Sequence, residues 1–419
     1  MFKIIKNPLT IVIFTIFLDS LGFGILIPIV PLLLADPVSS FYILPKTFSV
    51  QTGYILLGLI TAIFPLMQLF STSILGQFSD KFGRKTILMY TLFLTSASYL
   101  LFAFGILVKN IPLLFVARTI AGISSGNLSV AQASVADLTL PKDRAKNFGL
   151  IGAAFGVGFI IGPFLGGKLS DPSVLPFFNP TVPFYFAAIL SLLNAFSVRA
   201  FFKETNKFLN PDPKVDWGQS IRNIFKAFQL KNLRFLFLIS FLFFSGFTFF
   251  VTFFSIFLIK KFGFTQGNIG DFFSFIGTCI VITQSLITRQ VANYFSEQST
   301  LKITIIANGI FIGLIYFFST PLMIYVLSAG FAICNGLTFA NLSGLISRSS
   351  DQKIQGEILG INASVQALAQ LIPPILSGFI AASIAPEAPI IVASTIIIIS
   401  GALFIVFFRP ASIAHIKNY

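Results

Sequence analysis

Twelve apolar stretches, each long enough to cross a bilayer, dominate this sequence: 8–34, 51–76, 87–108, 112–137, 147–169, 182–202, 233–259, 268–290, 301–320, 321–347, 357–382 and 388–409. A hydrocarbon core takes about 20 apolar residues of helix. Within lipid every backbone group must be paired, so continuous spans of this kind are helices. Most boundaries fall at polar clusters; around Ser319, Thr320 and Pro321 the ninth and tenth spans are joined by a very tight turn. Charge agrees: only 10% of the 419 residues are charged, against about 25% in a soluble domain. The first stretch begins like a secretory signal, with two lysines before an apolar run. It then continues through Asp19 to Pro31 and Leu34 instead of ending at small cleavage-site residues, so it reads as a retained helix.

Charge also orients the spans. With the N-terminus in the cytoplasm, the opposite side receives Lys46, Lys109, Lys168, Lys260 and Lys261, Arg118 lies inside a helix, and the other 22 of 28 Lys and Arg fall on the cytoplasmic side. This predicts a multi-pass protein of the inner (cytoplasmic) membrane with both termini cytoplasmic. The net charge of +14 is then a product of retained basic loops, and nucleic acid is not an expected partner. The single histidine, His415, lies four residues from the end, and Cys279 and Cys334 sit in apolar runs. Histidine catalysis, zinc and a disulfide framework therefore lack material, and no cofactor or metal is expected. The expected partners are a small-molecule substrate and the lipid bilayer, met by a monomer.

The longest polar stretch, 203–232, divides six spans from six: 1–202 as one bundle, 203–232 as a cytoplasmic linker with the only tryptophan, Trp217, and 233–419 as the second bundle. After Pro213, the pattern IRNIFKAF is either a short amphipathic helix on the membrane surface or part of a solvated linker. The halves are weakly related. Residues 145–167 match 356–378 at an offset of 211, aligning Gly149 with Gly360, Pro163 with Pro374 and Gly167 with Gly378. Repeats of six spans are an architecture of secondary transporters, with the substrate site near the midplane between halves. The fold class is thus an all-α membrane protein of twelve transmembrane helices in two pseudo-symmetric six-helix bundles.

Few acids lie within spans. Asp19 is about 11 residues into the first, near the midplane, where a charge costs roughly 2.5–3.5 kcal/mol on insertion scales. It persists only if paired, wetted or protonated, which makes it a proton carrier in principle; a static buried hydrogen bond is the alternative. Arg118, among apolar neighbours in the fourth span, is its natural partner. A nearby cation favours the ionised carboxyl and helps release a proton. Alternatively Arg118 snorkels to the outer interface. Asp271, three residues into the eighth span, is a second proton-site candidate or a plain interfacial acid. Between the second and third spans runs Gly76-Gln77-Phe78-Ser79-Asp80-Lys81-Phe82-Gly83-Arg84-Lys85. Its glycines permit a tight turn, Asp80 can accept bonds from a helix N-terminus, and its bases can pair with acids on adjacent helices. The corresponding stretch of the second half has Asn293 for Asp80 and Ser296 for Gly83, so this chemistry is asymmetric. The fifth span carries small residues at Gly152/Gly156, Gly158/Gly162 and Gly162/Gly166, spacings that let helices approach closely.

The GQFSDKFGRK loop resembles the signature loop of the major facilitator superfamily. Three further stretches are similar to helices of its twelve-span drug:proton antiporters: FLDSLGFGILIPIVPLL in the first span, Arg118 to Gly126 in the fourth, and Gly158 to Gly167 in the fifth. The resemblance implies a proton-coupling role for Asp19 with Arg118. It implies that Asp137 pairs with Arg84 and, with Asp80, latches the inner gate; an ordinary helix-end acid is the alternative for Asp137. It implies that Gly158, Gly162, Pro163, Gly166 and Gly167 form a seal between the halves. It also implies a cavity lined by spans one, four, seven and ten, whose candidates are Asn127, Gln132, Phe244, Asn335 and Asn341, with Gln366 near. The expected activity is proton-driven export of small amphipathic compounds or drugs by alternating access. A dedicated exporter of one metabolite, such as a siderophore, is the alternative, and a proton-coupled importer a third. A membrane enzyme would need a catalytic cluster that one tail histidine and isolated acids do not supply; a non-transporting scaffold is the other competing class.

Overall fold

The computed structural model describes residues 7–140, 143–206, 216–230, 233–318, 320–349 and 355–408. Parts of the linker (207–215 and 231–232), Lys142, Ser319 in the tight turn, and the tail with His415 lie outside the described residues. Twelve helices are long and apolar enough to cross a membrane, and no strand occurs among the described residues. In chain order the helices are α1 (Pro8–Leu34), α2 (Val50–Phe82), α3 (Arg84–Leu107), α4 (Ile111–Leu138), α5 (Arg144–Ser170), α6 (Val182–Phe201), the short α7 (Gln219–Gln229), α8 (Arg234–Phe262), α9 (Gln266–Tyr294), α10 (Glu297–Phe317), α11 (Pro321–Arg348), α12 (Gln355–Ser383) and α13 (Ala388–Phe407). The protein is a multi-pass membrane protein.

Local chemistry sets the ends. Asn7 accepts from Leu9 N–H at the start of α1, and Pro8 fills the first turn, where its missing N–H costs nothing. Thr265 and Asn268 form a reciprocal cap on α9. Gly83, at φ 91°, separates α2 from α3 in a single residue. The second span therefore runs to Phe82, six residues beyond the expected 76, because nothing in QFSDKF stops a helix before that glycine.

The end of the molecule bearing Lys81, Arg84 and Lys85 is called here the basic face, and the other the far face. Within the halves, α1 packs on α5 and α3 on α6, while α8 packs on α12 and α13 and α10 on α11. The interior of the second half is aromatic: Phe250, Phe254, Phe257, Phe272, Phe273 and Phe331 are buried in one cluster, with Phe250 and Phe254 4.3 Å apart. Lipid tails are as apolar as these rings, so packing rather than escape from water holds them together.

The halves meet along two seams, α2 with α12 and α5 with α9. Along α5, the seam loosens stepwise. A methyl group built on Gly167 would stand 2.8 Å from Gly270 Cα, and one on Gly277 3.2 Å from Ile160 Cα. One on Gly156 would stand 3.3 Å from Val281, and one on Gly152 or Gly149 would meet nothing within 4 Å among the described residues. On the other seam Gly378 lies against Tyr54 O (2.8 Å by the same construction), whereas Gly360 meets nothing within 4 Å among the described residues. Both seams are thus closed at the far face and parted at the basic face. A π turn at Thr283–Ile287 interrupts α9 just past Val281, where the parting begins.

Candidate functional site

The cleft has its apex where α1 carries Asp19. One residue on, Ser20 Oγ donates to Phe155 O of α5 (2.8 Å), beside Gly156, the last α5 glycine in reach of α9. Asp19 is the twelfth of 27 residues in α1, about 17 Å of helix from the basic face at 1.5 Å per residue. Its Oδ2 is buried and has no hydrogen-bond partner among the described residues. Asn127 lies alongside, fully buried, with its side-chain amide within reach of the Asp19 carboxyl, although among the described residues neither amide atom makes a well-formed hydrogen bond. The break at Ser125–Gly126 divides α4 into Ile111–Ser124 and Asn127–Leu138, so Asn127 opens the second piece. A broken helix at mid-membrane presents polar groups to a cavity.

Arg118 is only 4% exposed and does not snorkel. Its guanidinium stands 4.5 Å from the Phe64 ring centre, a cation–π contact that partly replaces lost solvation, and its Nε is unpartnered. Among the described residues no ion pair joins it to Asp19. Tyr99, whose hydroxyl occupies the space left by Gly22, lies within electrostatic reach of both.

From Phe64 a row of rings crosses the protein on the far side of Asp19. Phe23 lies 6.2 Å from Phe64 and 6.5 Å from Phe159. Phe159 of α5 then meets Phe247 of α8 at 6.4 Å, and Phe247 stacks on Phe331 of α11 at 6.3 Å. These rings roof the cleft. No sequence signal separates Phe23, Phe64, Phe159 and Phe331 from the rest of 54 phenylalanines.

The remaining cavity candidates diverge. Gln132 is exposed and Gln366 half-buried. Phe244 packs edge-on to Phe339 at 5.4 Å. Asn335 is buried, and Asn341 is buried with its amide donated to Leu337 O (2.8 Å), a bond within its own helix.

The fifth-helix glycines serve two partners rather than one seal. Gly158, Gly162 and Gly166 face α1 of their own half, against Phe17 O, Leu21 O and Ile25 O. Only Gly167, with the Pro163 carbonyl, abuts Gly270 of the second half. Of the expected close-approach spacings, Gly152/Gly156 does not pack tightly: Gly152 meets open space.

At the basic face, Gly76 is helical within α2 and leaves room for Ser129 of α4. Arg84 reaches Asp80 (2.8 Å), Ser79 and Asp137 (3.5 Å), and Asp137 also accepts from Thr205 (3.2 Å). Asp80 does not cap the neighbouring helix. Glu204 does: its carboxylate accepts the backbone N–H of Arg84 (2.9 Å) and of Lys85 (3.1 Å) at the start of α3. Sequence spacing cannot find Glu204, which lies 120 residues away. In the second half, Glu297 at the start of α10 pairs with Arg348 at the end of α11 (3.2 Å). The loop alignment that sets Asn293 on Asp80 and Ser296 on Gly83 also sets Glu297 on Arg84, and the offset of 211 sets Arg348 on Asp137. With a two-residue shift between the two stretches, an ion pair of reversed polarity thus stands at the corresponding place.

The far face is closed by bonds between halves. Lys168 pairs with Asp271 (2.8 Å), so the charge of that second acid is spent here. Lys260 donates to Tyr54 (2.7 Å). Asp171 accepts from Gly267 N–H at the start of α9 (3.0 Å). Burial opposes the Asp171 charge, but the bonds from Ser173, Thr265 and Gly267 together outweigh it and hold its carboxyl below the usual range.

Residues 12–370 match the Major Facilitator Superfamily. The tetracycline resistance protein, class H, of Pasteurella multocida is 31% identical over 386 residues, 90% of this chain and 89% of that protein. Multidrug resistance protein 1 of Bacillus subtilis (strain 168) is 28% identical over 416 residues, 98% of each. Among solved structures, the D-xylose–proton symporter superposes with a TM-score of 0.75 at 14% identity, over 96% of this chain and 98% of that one. The human organic anion transporter MFSD10 (TETRAN) gives 0.69 at 22%, over 96% and 99%; both speak to the fold alone. A family match across most of the chain, with relatives that are transporters and not enzymes, makes this protein a member of the Major Facilitator Superfamily.

Proposed function

We propose that the protein exports small amphipathic compounds or drugs in exchange for protons, by alternating access, across the cytoplasmic membrane, with the basic face in the cytoplasm and one chain as the working unit. The observation that carries this reading is the buried carboxyl of Asp19, one oxygen of which has no hydrogen-bond partner among the described residues, beside the buried amide of Asn127, at the apex of a cleft that opens to the basic face. It is supported by efflux-type relatives, resistance proteins for tetracycline and multiple drugs.

In this conformation a substrate enters from the basic face and settles under the Phe159–Phe247 rings, against Asp19 and Asn127. The bases at that face favour inward retention of the loops that carry them. Closure of the basic face brings Gly149 and Gly152 against the second half, and the far-face bonds of Lys168 and Asp171 release. A proton arriving from the far side neutralises Asp19, and substrate leaves outward. Arg118, held on Phe64, favours the ionised carboxyl and so assists proton release inward. Arg84, with Asp80 and Asp137, ties α2 to α4 within the first half at the basic face, the surface against which the second half closes in the outward phase. The reaction is a conformational exchange with no covalent step and no cofactor; the proton gradient supplies the energy.

The test is Asp19→Asn in proteoliposomes with a panel of tetracyclines and lipophilic cations. Gradient-driven accumulation is expected to vanish while substrate–substrate exchange persists. Undiminished gradient-driven transport by the well-folded variant would sink the proposal, and transport of one compound alone would favour a dedicated exporter.

A further inference from the structure

The transport reading leaves α7 without a role. Its inward side is pinned to the protein: Ser220 donates to Leu69 O (2.6 Å) and shares a hydrogen bond with Ser73 (2.7 Å). Gln77 accepts from Asp216 N–H (2.6 Å) and donates to Gln219 (3.1 Å). The helix rests on α2 of one half, on α12 of the other and on the start of α8. It therefore sits at the rim of the open cleft.

A second side is left uncovered. Trp217, Phe225 and Phe228 are 64%, 63% and 65% exposed, and Ile221 joins them. Their spacing of i, i+4, i+8 and i+11 makes one continuous stripe along a helix, with Trp217 in register in the turn just before it. Arg222 and Lys226 occupy a third sector, turned away from the stripe, where Arg222 pairs with Asp216. Three sectors, one packed on protein, one aromatic and one charged, suit a helix lying in the plane of a bilayer surface at the edge of a bundle. Position supplies the occupant. α8 begins at Arg234, five residues after α7 ends, so α7 lies within about 17 Å of chain from the point where the polypeptide enters the membrane. The lipid at that entry point is the apolar medium in reach.

We propose that α7 is a membrane-surface anchor, with Trp217, Ile221, Phe225 and Phe228 seated among the headgroups and first acyl carbons of the basic-face leaflet. The anchor joins both halves at the cleft rim, through Ser220 on α2 and through α12. It does not depend on what is transported.

Trp217 is the only tryptophan, so the full-length protein carries its own probe. The protein is reconstituted in phosphatidylcholine–phosphatidylglycerol vesicles containing lipids brominated either near the glycerol or near the acyl methyl end. The expected result is a blue-shifted emission, quenched more by shallow bromines than by deep ones and weakly by aqueous iodide. Phe225→Ser/Phe228→Ser, which leaves the Ser220 and Gln77 bonds in place, should lose most of the lipid quenching. Strong iodide quenching without lipid quenching would overturn the proposal by showing a solvated stripe. A blue-shifted emission quenched by neither would overturn it by showing a protein partner, either the 207–215 segment or a second copy.

Discussion

The two halves share a scaffold but not a chemistry. The first holds a carboxyl at mid-membrane, a buried arginine near it, and a partly buried Arg84 between two acids. The second holds a dense aromatic interior and one counterpart pair, Glu297–Arg348, in which Arg348 is 77% exposed. Arg348 aligns with Asp137 at the offset of 211 and Glu297 with Arg84 in the loop alignment, so the second half has an ion pair at the corresponding place, with polarity reversed and burial reduced. Charge chemistry is concentrated on one side of the cleft, and the other side supplies packing and rings.

Four single substitutions and one charge swap probe that contrast. The largest effect belongs to Gly162→Leu: any side chain there meets Leu21 O at 2.6 Å and Gly24 Cα at 2.9 Å. Overpacking of this kind costs about 1–3 kcal/mol or more, and little monodisperse protein should survive size-exclusion chromatography. Gly152→Leu, which meets open space in the same helix, should fold normally yet lose transport, since closing the basic face needs that surface. Next, Arg84→Ala removes a partly buried charge with two acidic partners. Loss of a charged hydrogen bond is worth about 1.5–3 kcal/mol, so efflux should fall roughly tenfold or more. Arg348→Ala breaks an exposed pair worth about 0–1 kcal/mol and should change efflux less than about fivefold. If the repeat tolerates either polarity, Arg84→Glu/Asp137→Arg should recover more activity than either single change.

On stability rather than on efflux, Glu204→Gln weakens the cap on α3 by about 0.5–2 kcal/mol, visible as a melting temperature lowered by a few degrees. The smallest effect concerns pH. Asp171 has a lowered folded pKa, so its contribution to the far-face bond is present above the ordinary carboxylate value and is lost only as pH falls through the lowered one. Spin-label distances across the far-face end of the α5–α9 seam, from labels at exposed positions outside it such as Val174, should therefore not respond to Asp171 between about pH 5 and 8. A response in that range that disappears in Asp171→Asn would contradict the assignment.

Twelve spans are legible in the sequence because lipid permits few alternatives to a continuous apolar helix. The basic-face ladder of Arg84 with Asp80 and Asp137 is legible through its family pattern, and Asp19 through the cost of a mid-membrane charge. Other features depend on tertiary contact. Glu204 caps α3 from across 120 residues. Gly158 and Gly167 sit in one motif yet face different helices, because residues nine apart lie on opposite sides of a helix with 3.6 residues per turn. The Phe23–Phe159–Phe247 row has no signature among so many similar residues. Whether a seam is open or closed is a property of two surfaces, and neither stretch of sequence states it.

Asp19 is proposed to carry the exchanged proton. Proton release on substrate binding tests it most directly: purified protein in weakly buffered solution receives a compound shown to be transported, and pH is followed. Release of about one proton per chain is expected from the wild type, since the two ligands compete for one carboxyl, and none from Asp19→Asn. Equal release from Asp19→Asn, with substrate still bound, would contradict it.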